Sequence, residues 1–166
     1  MAVHYACGAD FQVMKEHVEY VFKLFENTIS DITEDELDWQ PTEEANTIRG
    51  ILTHLSRICN VSLPSRMRGD TNYLPNNWPK NYEGTLHSSK KLFSDLENGK
   101  KAVIGGLDGL SSSDLEVEID LWGRRVKRKI GLFSHLSEIA HHKGQIAYIR
   151  GIRKRQREKT KVSMKT

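Results

Sequence analysis

A histidine-rich stretch near the end of the 166-residue chain, His135-Leu-Ser-Glu138-Ile-Ala-His141-His142-Lys-Gly-Gln145, carries residue types that hold metal ions. A lone His54 stands about eighty residues before it. At about 100° per residue on a helix, Glu138 and His142 lie roughly 40° apart on one face, with His135 and Gln145 flanking them. One helix therefore supplies two ligands. A third from another helix closes a facial His/Glu/His set, which suits zinc or a similar divalent ion and leaves a position open for water or substrate. A metal held this way lowers the pKa of a bound water or thiol, so that a nucleophile exists at neutral pH.

Each of these residues also has a plainer reading. His54 alone is a core histidine bonded to a neighbour, and its pairing with the later stretch is what makes it a ligand candidate. Glu138 on an inward edge is costly unless a cation, or a His or Arg partner, neutralises it. His142 shares its face. His141, turned about 100° away, faces a neighbouring helix or solvent. His135 projects within about 20° of His142 but two turns off along the axis, which makes it pocket lining or a support for the ligands. His135 and His141 are the candidate catalytic bases, provided that they reach the pocket. Gln145 orients a ligand or water, or makes an ordinary interhelical hydrogen bond. Gly144 allows close packing.

Helices must position this set. Phe11, Met14, Val18, Val21, Phe22, Phe25 and Ile29 recur at helical spacing from Asp10, placed to cap the first turn, to about Ser30. A polar link holding Trp39 and Pro41 follows, and Asn46 or Thr47 opens a second helix through Ile48, Ile51, Leu52, Leu55, Ile58 and Val61, with His54 near its midpoint. Pro64 threatens its continuation, leaving 65–68 as a kinked turn or a loop. Residues 69–84 carry Asn, Pro and the aromatics Tyr73, Trp78 and Tyr82, an ordered loop able to roof a pocket. A third helix is predicted from about Thr85, with Leu86, Leu92, Phe93, Leu96, Val103 and Leu107 inward, Gly99 a weak point and Gly105-Gly106 its frayed end. Alternation in Leu115–Leu121, then Trp122-Gly123 and a basic run, predicts a short hairpin. A fourth helix from about Ile130 buries Leu132, Leu136, Ile139, Ile146 and Ile149. Tyr73, Trp78 and Trp122 to Arg125 are the expected substrate contacts, Arg124 or Arg125 holding a carboxylate.

The chain is long enough for one domain with its own core, and its 37% hydrophobic and 28% charged content is ordinary for a soluble protein. No apolar run can cross a bilayer, and no basic or apolar leader opens the sequence, so the cytoplasm is expected. Cys7 and Cys59 are too few for a disulfide framework and are expected reduced, Cys59 as core packing. The net charge of +3 hides a local +7 in residues 150–166, balanced by −4 in the rest. The plain reading of that tail is a solvated helix end. Nucleic-acid binding is the weaker one, because the tail has no stacking aromatics. We therefore divide the chain into a helical-bundle domain, 1–152, and a basic C-terminal tail, 153–166.

The helix carrying Ile48-Arg-Gly-Ile-Leu-Thr-His54-Leu, the later hairpin, and Glu138-Ile-Ala-His141-His142-Lys-Gly-Gln145-Ile together resemble the DinB/YfiT-like superfamily of metal-binding four-helix bundles, over roughly residues 10–152. The resemblance implies an all-α, up-down-down-up bundle with a short β-hairpin before the last helix. It carries over His54 and His142 as ligands. Lys143 stands where the family usually has Arg, and Glu138 where many members have a first His, although thiol-dependent isomerases of the superfamily use a His, Glu, His zinc set. It further implies zinc or nickel, a small-molecule substrate, frequent homodimers, and thiol transfer, isomerisation or hydrolysis, at times with a low-molecular-weight thiol. Fold alone does not choose among these. The alternative is a non-catalytic, stress-related binding protein with a metal or vestigial metal site, and a third is nucleic-acid association through the basic tail.

Overall fold

The order of elements follows from where the sequence places caps and apolar stripes. A computed structural model of the chain describes residues 6–164, with side chains from Phe11 onward. Helix α1 (Ala6–Ile29) buries Met14, Val18, Val21, Phe22, Phe25 and Ile29. It already runs through Asp10, so Asp10 is not its cap, and the Asp10 and Cys7 side chains lie outside the described ones. The link after it contains a short helix, α2 (Glu34–Leu37). Thr33 and Glu36 close a capping box there and Leu37 is fully buried, an apolar anchor inside a segment that reads as polar.

Thr47 caps α3 (Ile48–Arg57), its side chain accepting from the Gly50 N–H. Pro64 does not end this rod. A π-helical turn, Ile58–Ser62, lets the Leu63 N–H reach the Ile58 carbonyl, and α4 (Leu63–Arg68) continues with Pro64 in its first turn. There a missing N–H costs little, because the wider turn has already displaced the bonding register. Gly69, at φ 69°, stops the rod.

Residues 69–88 have no regular structure, and α5 (Ser89–Asp108) begins later than its apolar pattern suggests, capped by Ser88. Leu86, expected inward, is 83% exposed. The buried positions there are taken by Tyr82 and His87, stacked at 4.1 Å, with Trp78 on the other face of Tyr82. Gly99 is a contact rather than a weak point. A Cβ there would stand 2.5 Å from the Cβ of Cys59, so glycine lets α5 press against the π-turn. Gly105 and Gly106 likewise lie inside the helix, Gly106 against Met67. Cys59 is fully buried with its thiol pKa pushed up to about 12, inert core packing as expected.

After α6 (Ser112–Glu116) comes the hairpin, β1 (Glu118–Leu121) and β2 (Arg124–Lys127), antiparallel with Ile119 opposite Val126. Trp122 and Gly123 both have positive φ, 50° and 77°, the requirement of the tight turn that matches strand twist. Helix α7 (Arg128–Ser163) follows without a loop and buries Leu132, Leu136, Ile139, Ile146 and Ile149. It runs on through the basic segment, where Arg153 is buried, stacked over Trp39 and paired with Asp35.

The architecture is thus the expected all-α bundle of the up-down-down-up type, its four rods α1, α3 to α4, α5 and α7 around one core, with the hairpin before the last helix. Among the described residues no helix is long and apolar enough to cross a membrane.

Candidate metal centre

His54 projects from the middle of α3, and Glu138 and His142 from successive turns of α7, the helix packed against it. One donor atom from each of the three lies within 4.8 Å of the others. The Glu138 Oε2 is 3.3 Å from Nε2 of His142 and 3.8 Å from Nε2 of His54. The two imidazoles meet edge to face at 5.1 Å.

Their tautomers follow from what holds the far side of each ring. His54 Nδ1 is 2.8 Å from Oε1 of Glu83, and His142 Nδ1 is 2.7 Å from Oε1 of Gln145. A carboxylate and an amide oxygen only accept, so each Nδ1 carries a proton and each Nε2 is the nitrogen turned to the space beside Glu138. Gln145 then donates its amide to Nε2 of His141 at 3.0 Å. Nε2 of His142 is buried and has no hydrogen-bond partner. A ring nitrogen shut off from water without a partner is unfavourable, and a cation between the two rings and the carboxylate would satisfy it when Nε2 is unprotonated. The donor set, two imidazoles and one carboxylate with outer partners on both rings, fits zinc or nickel.

A cleft of about 360 Å³ opens on this group, lined by Asn46, Gly50, Ile51, His54 and His142. The other residues singled out by sequence lie elsewhere. His135 is buried on α7, its Nδ1 2.9 Å from the Gly131 carbonyl and its ring stacked under Trp122 at 5.7 Å. Burial holds its pKa below the ordinary histidine value, so it is a neutral ring. His141 is exposed, meets the His142 ring edge to face at 5.1 Å, and is bonded to Gln145 rather than to the space beside Glu138. Gln145 orients a histidine, rather than bridging helices. Gly144 has open space where a Cβ would stand, so close packing does not explain it.

The expected substrate contacts are not at this group either. Arg125 pairs with Glu118 on the exposed hairpin, Tyr73 stacks with Arg68, and Trp78 packs on Tyr82. What the 69–88 loop brings to the site is Glu83, which no spacing in the sequence could assign. Glu83 also takes Arg57, whose Nε is 3.2 Å from its Oε2. Arg57 follows His54 by one helical turn and was open to the same spacing argument that links Glu138 with His142.

Comparison with known proteins agrees with this fold. The structure resembles a conserved protein from Enterococcus faecalis with a TM-score of 0.65 and 18% identity, over 84% of this chain and 94% of that one. It resembles the DinB-like protein YjoA of Bacillus subtilis with a TM-score of 0.67 and 17% identity, over 83% and 90%. A DinB-like protein from Bacillus cereus gives 0.65 and 16% identity, over 81% and 86%. No protein of curated function matches. The sequence matches a family profile over residues 7–164, and the chain, DinB-like in fold, belongs to the family described as "Protein of unknown function (DUF1572)".

Proposed function

We propose that the chain is a divalent-metal-dependent enzyme acting on a small molecule, with His54, Glu138 and His142 as the three protein ligands to zinc or nickel. The observation that carries this reading is the buried, unpartnered Nε2 of His142 beside the Glu138 carboxylate, in rings whose other nitrogens are already committed. The ion would lower the pKa of a bound water or low-molecular-weight thiol, which suits thiol transfer, isomerisation or hydrolysis.

The chain's own residues do the preparation. Glu83 and Gln145 hold the two rings with Nε2 inward, so no ring must reorient when the site is used. Glu138 supplies the negative charge that favours a cation over a neutral ligand, and three protein ligands would leave the ion a position for water or thiol. Proton transfer from an activated water or thiol needs no further base in this scheme. A homodimer accompanies the reading as the resemblance implies.

Metal content tests it. Protein prepared without an affinity tag, stripped with chelator and re-equilibrated, is expected to take up about one zinc or nickel per chain, and the His142→Ala variant none. Failure of the unaltered protein to take up either metal would overturn the reading.

A further inference from the structure

The cleft lies on one side of the triad, toward Asn46 before α3 and Gly50 in its first turn. On the other side, past Glu138, α7 carries His135 and Gly131, and facing them are Arg57 and Arg66 from the rod of α3 and α4. Arg66 lies along Gly131, its Cδ at ordinary contact distance, 3.8 Å, from where a Cβ would stand, while the close approach that needs the glycine is that of Ile119, at 2.9 Å. By α-helical geometry residues nine positions apart point to opposite sides. The π-turn Ile58–Ser62 stands between Arg57 and Arg66, and the charges of both act on the same buried ring, His135.

Arg66 is under-neutralised. Among the described residues its guanidinium has no hydrogen bond or ion pair, and its Nε is buried without a partner. Burial first, and then the neighbouring Arg57 charge, press it below the ordinary guanidinium range. Of the nearby carboxylates, Glu83 is committed to His54 and Arg57, and Glu138 is turned to the space between the two histidines. His135 is neutral and Trp122 covers it, held at a positive φ that a large side chain seldom adopts. The region therefore presents a guanidinium with a buried, unpartnered Nε, a neutral ring and an indole wall, and the Glu83 carboxylate pairs with Arg57 and not with Arg66.

We propose that Arg66, with Arg57 beside it, is the subsite for an oxyanion of the substrate, a carboxylate or a phosphate, next to the metal centre. This rests on the metal-dependent reading for the word substrate, though not for the binding itself. The guanidinium fork suits either anion, bidentate where geometry allows. Gly131 is two turns from Glu138, about 11 Å along α7, so the anion belongs to the end of a small molecule remote from its reacting atoms.

The test uses metal-stripped full-length protein, where no ion competes for the anion. Inorganic phosphate and acetate are titrated separately at fixed ionic strength by calorimetry, into the unaltered chain and the Arg66→Met, Arg66→Lys and His142→Ala variants. Expected is saturable binding of at least one probe. Arg66→Met should weaken it tenfold to a hundredfold, as loss of a hydrogen bond to a charged group does. Arg66→Lys should fall between, and His142→Ala should bind within twofold of the unaltered protein. Which probe binds more tightly separates carboxylate from phosphate. No saturable binding of either, or equal binding by Arg66→Met, overturns the proposal. Zinc uptake is read on the same samples, where Arg66→Met should match the unaltered chain. Anion binding without zinc uptake would sink the metal reading alone, and zinc uptake without Arg66-dependent anion binding would sink this one alone.

Discussion

Arg49 and Arg66 stand on the same helical rod and have opposite surroundings. Arg49 is buried at the start of α3 and saturated. Its Nε donates to Asp38 at 2.5 Å, one terminal nitrogen to the His87 carbonyl at 2.6 Å, and the other to Glu34 and Asp38 at 2.8 Å. Those bonds tie α2 and the entry to α5 onto α3. Arg66, at the other end, ties nothing. The same contrast separates the lower part of α7, where Arg150, Arg153 and Arg157 meet Asp31, Glu36 and Asp35, from its upper part, where His142 keeps a bare nitrogen. Most polar groups that hold the fold are matched within the chain, and among the described residues the buried side-chain atoms left without a hydrogen-bond partner are the Ser56 hydroxyl, Nε of Arg66 and of Arg128, and Nε2 of His142. Folding alone does not favour such vacancies, and the two at His142 and Arg66 are the ones proposed to take a metal and an anion.

The largest expected effect breaks the unsaturated side. His142→Ala should lower zinc affinity by well over a hundredfold, because it removes a ligand, and Gln145→Ala by roughly ten- to a hundredfold, because it frees only the ring that Gln145 orients. Competition with a chelating dye measures both. If the two variants bound zinc equally well, the orienting role of Gln145 and the ligand role of His142 would be indistinguishable, and the contrast with the saturated clusters would lose its meaning.

On the saturated side, Arg49→Met should destabilise the fold by about 2 kcal/mol, since the charged hydrogen bonds vanish while Asp38 and Glu34 remain open to water. In a chain of this size that lowers Tm by roughly 4–8 °C. Zinc uptake per folded chain should not change. A variant that kept its Tm would show that saturation by itself says nothing about structural role.

How much of this was legible in the sequence depends on the range of each interaction. Glu138 and His142 needed only helical spacing, and His54 needed the further inference that its apolar neighbours face the same core. The bundle, the Thr47 cap and the hairpin rest on local chemistry and were legible too. Pro64 was misleading because a lone sequence does not reveal a π-turn that makes a proline tolerable. Leu86 was misleading because Tyr82 and His87 compete for the same burial. Gly99 and Gly106 look like helix breakers unless the neighbouring rod is known. Glu83 and the vacancy around Arg66 are purely tertiary: no residue type or spacing announces that a charge lacks a partner.

Acid should distinguish the two sides next. His135 is neutral because burial disfavours its charged form, so its folded pKa lies below the unfolded value near 6.5. The unfolded chain then binds the extra proton first. Stability from this group is fully present above about pH 6.5 and is lost as pH falls toward the folded pKa. In metal-stripped protein, Tm should fall faster between pH 7 and 5 for the unaltered chain than for His135→Gln. Parallel curves would mean that His135 is protonated without penalty and that the region between Arg57 and Arg66 is wetter than its burial implies.

The smallest effect is also the one whose sign decides the comparison. If the charge on Arg66 is an uncompensated cost, Arg66→Met, which keeps the length of the stem along Gly131 and removes the charge beside Arg57, should raise stability by about 1 kcal/mol. Tm then rises by roughly 2–4 °C, opposite in direction to Arg49→Met. Millimolar phosphate or acetate should narrow the gap, since an anion bound only by the folded, unaltered chain stabilises it by mass action and leaves Arg66→Met where it was. A fall in Tm for Arg66→Met, unaffected by either anion, would place Arg66 with Arg49 among the residues that hold the fold.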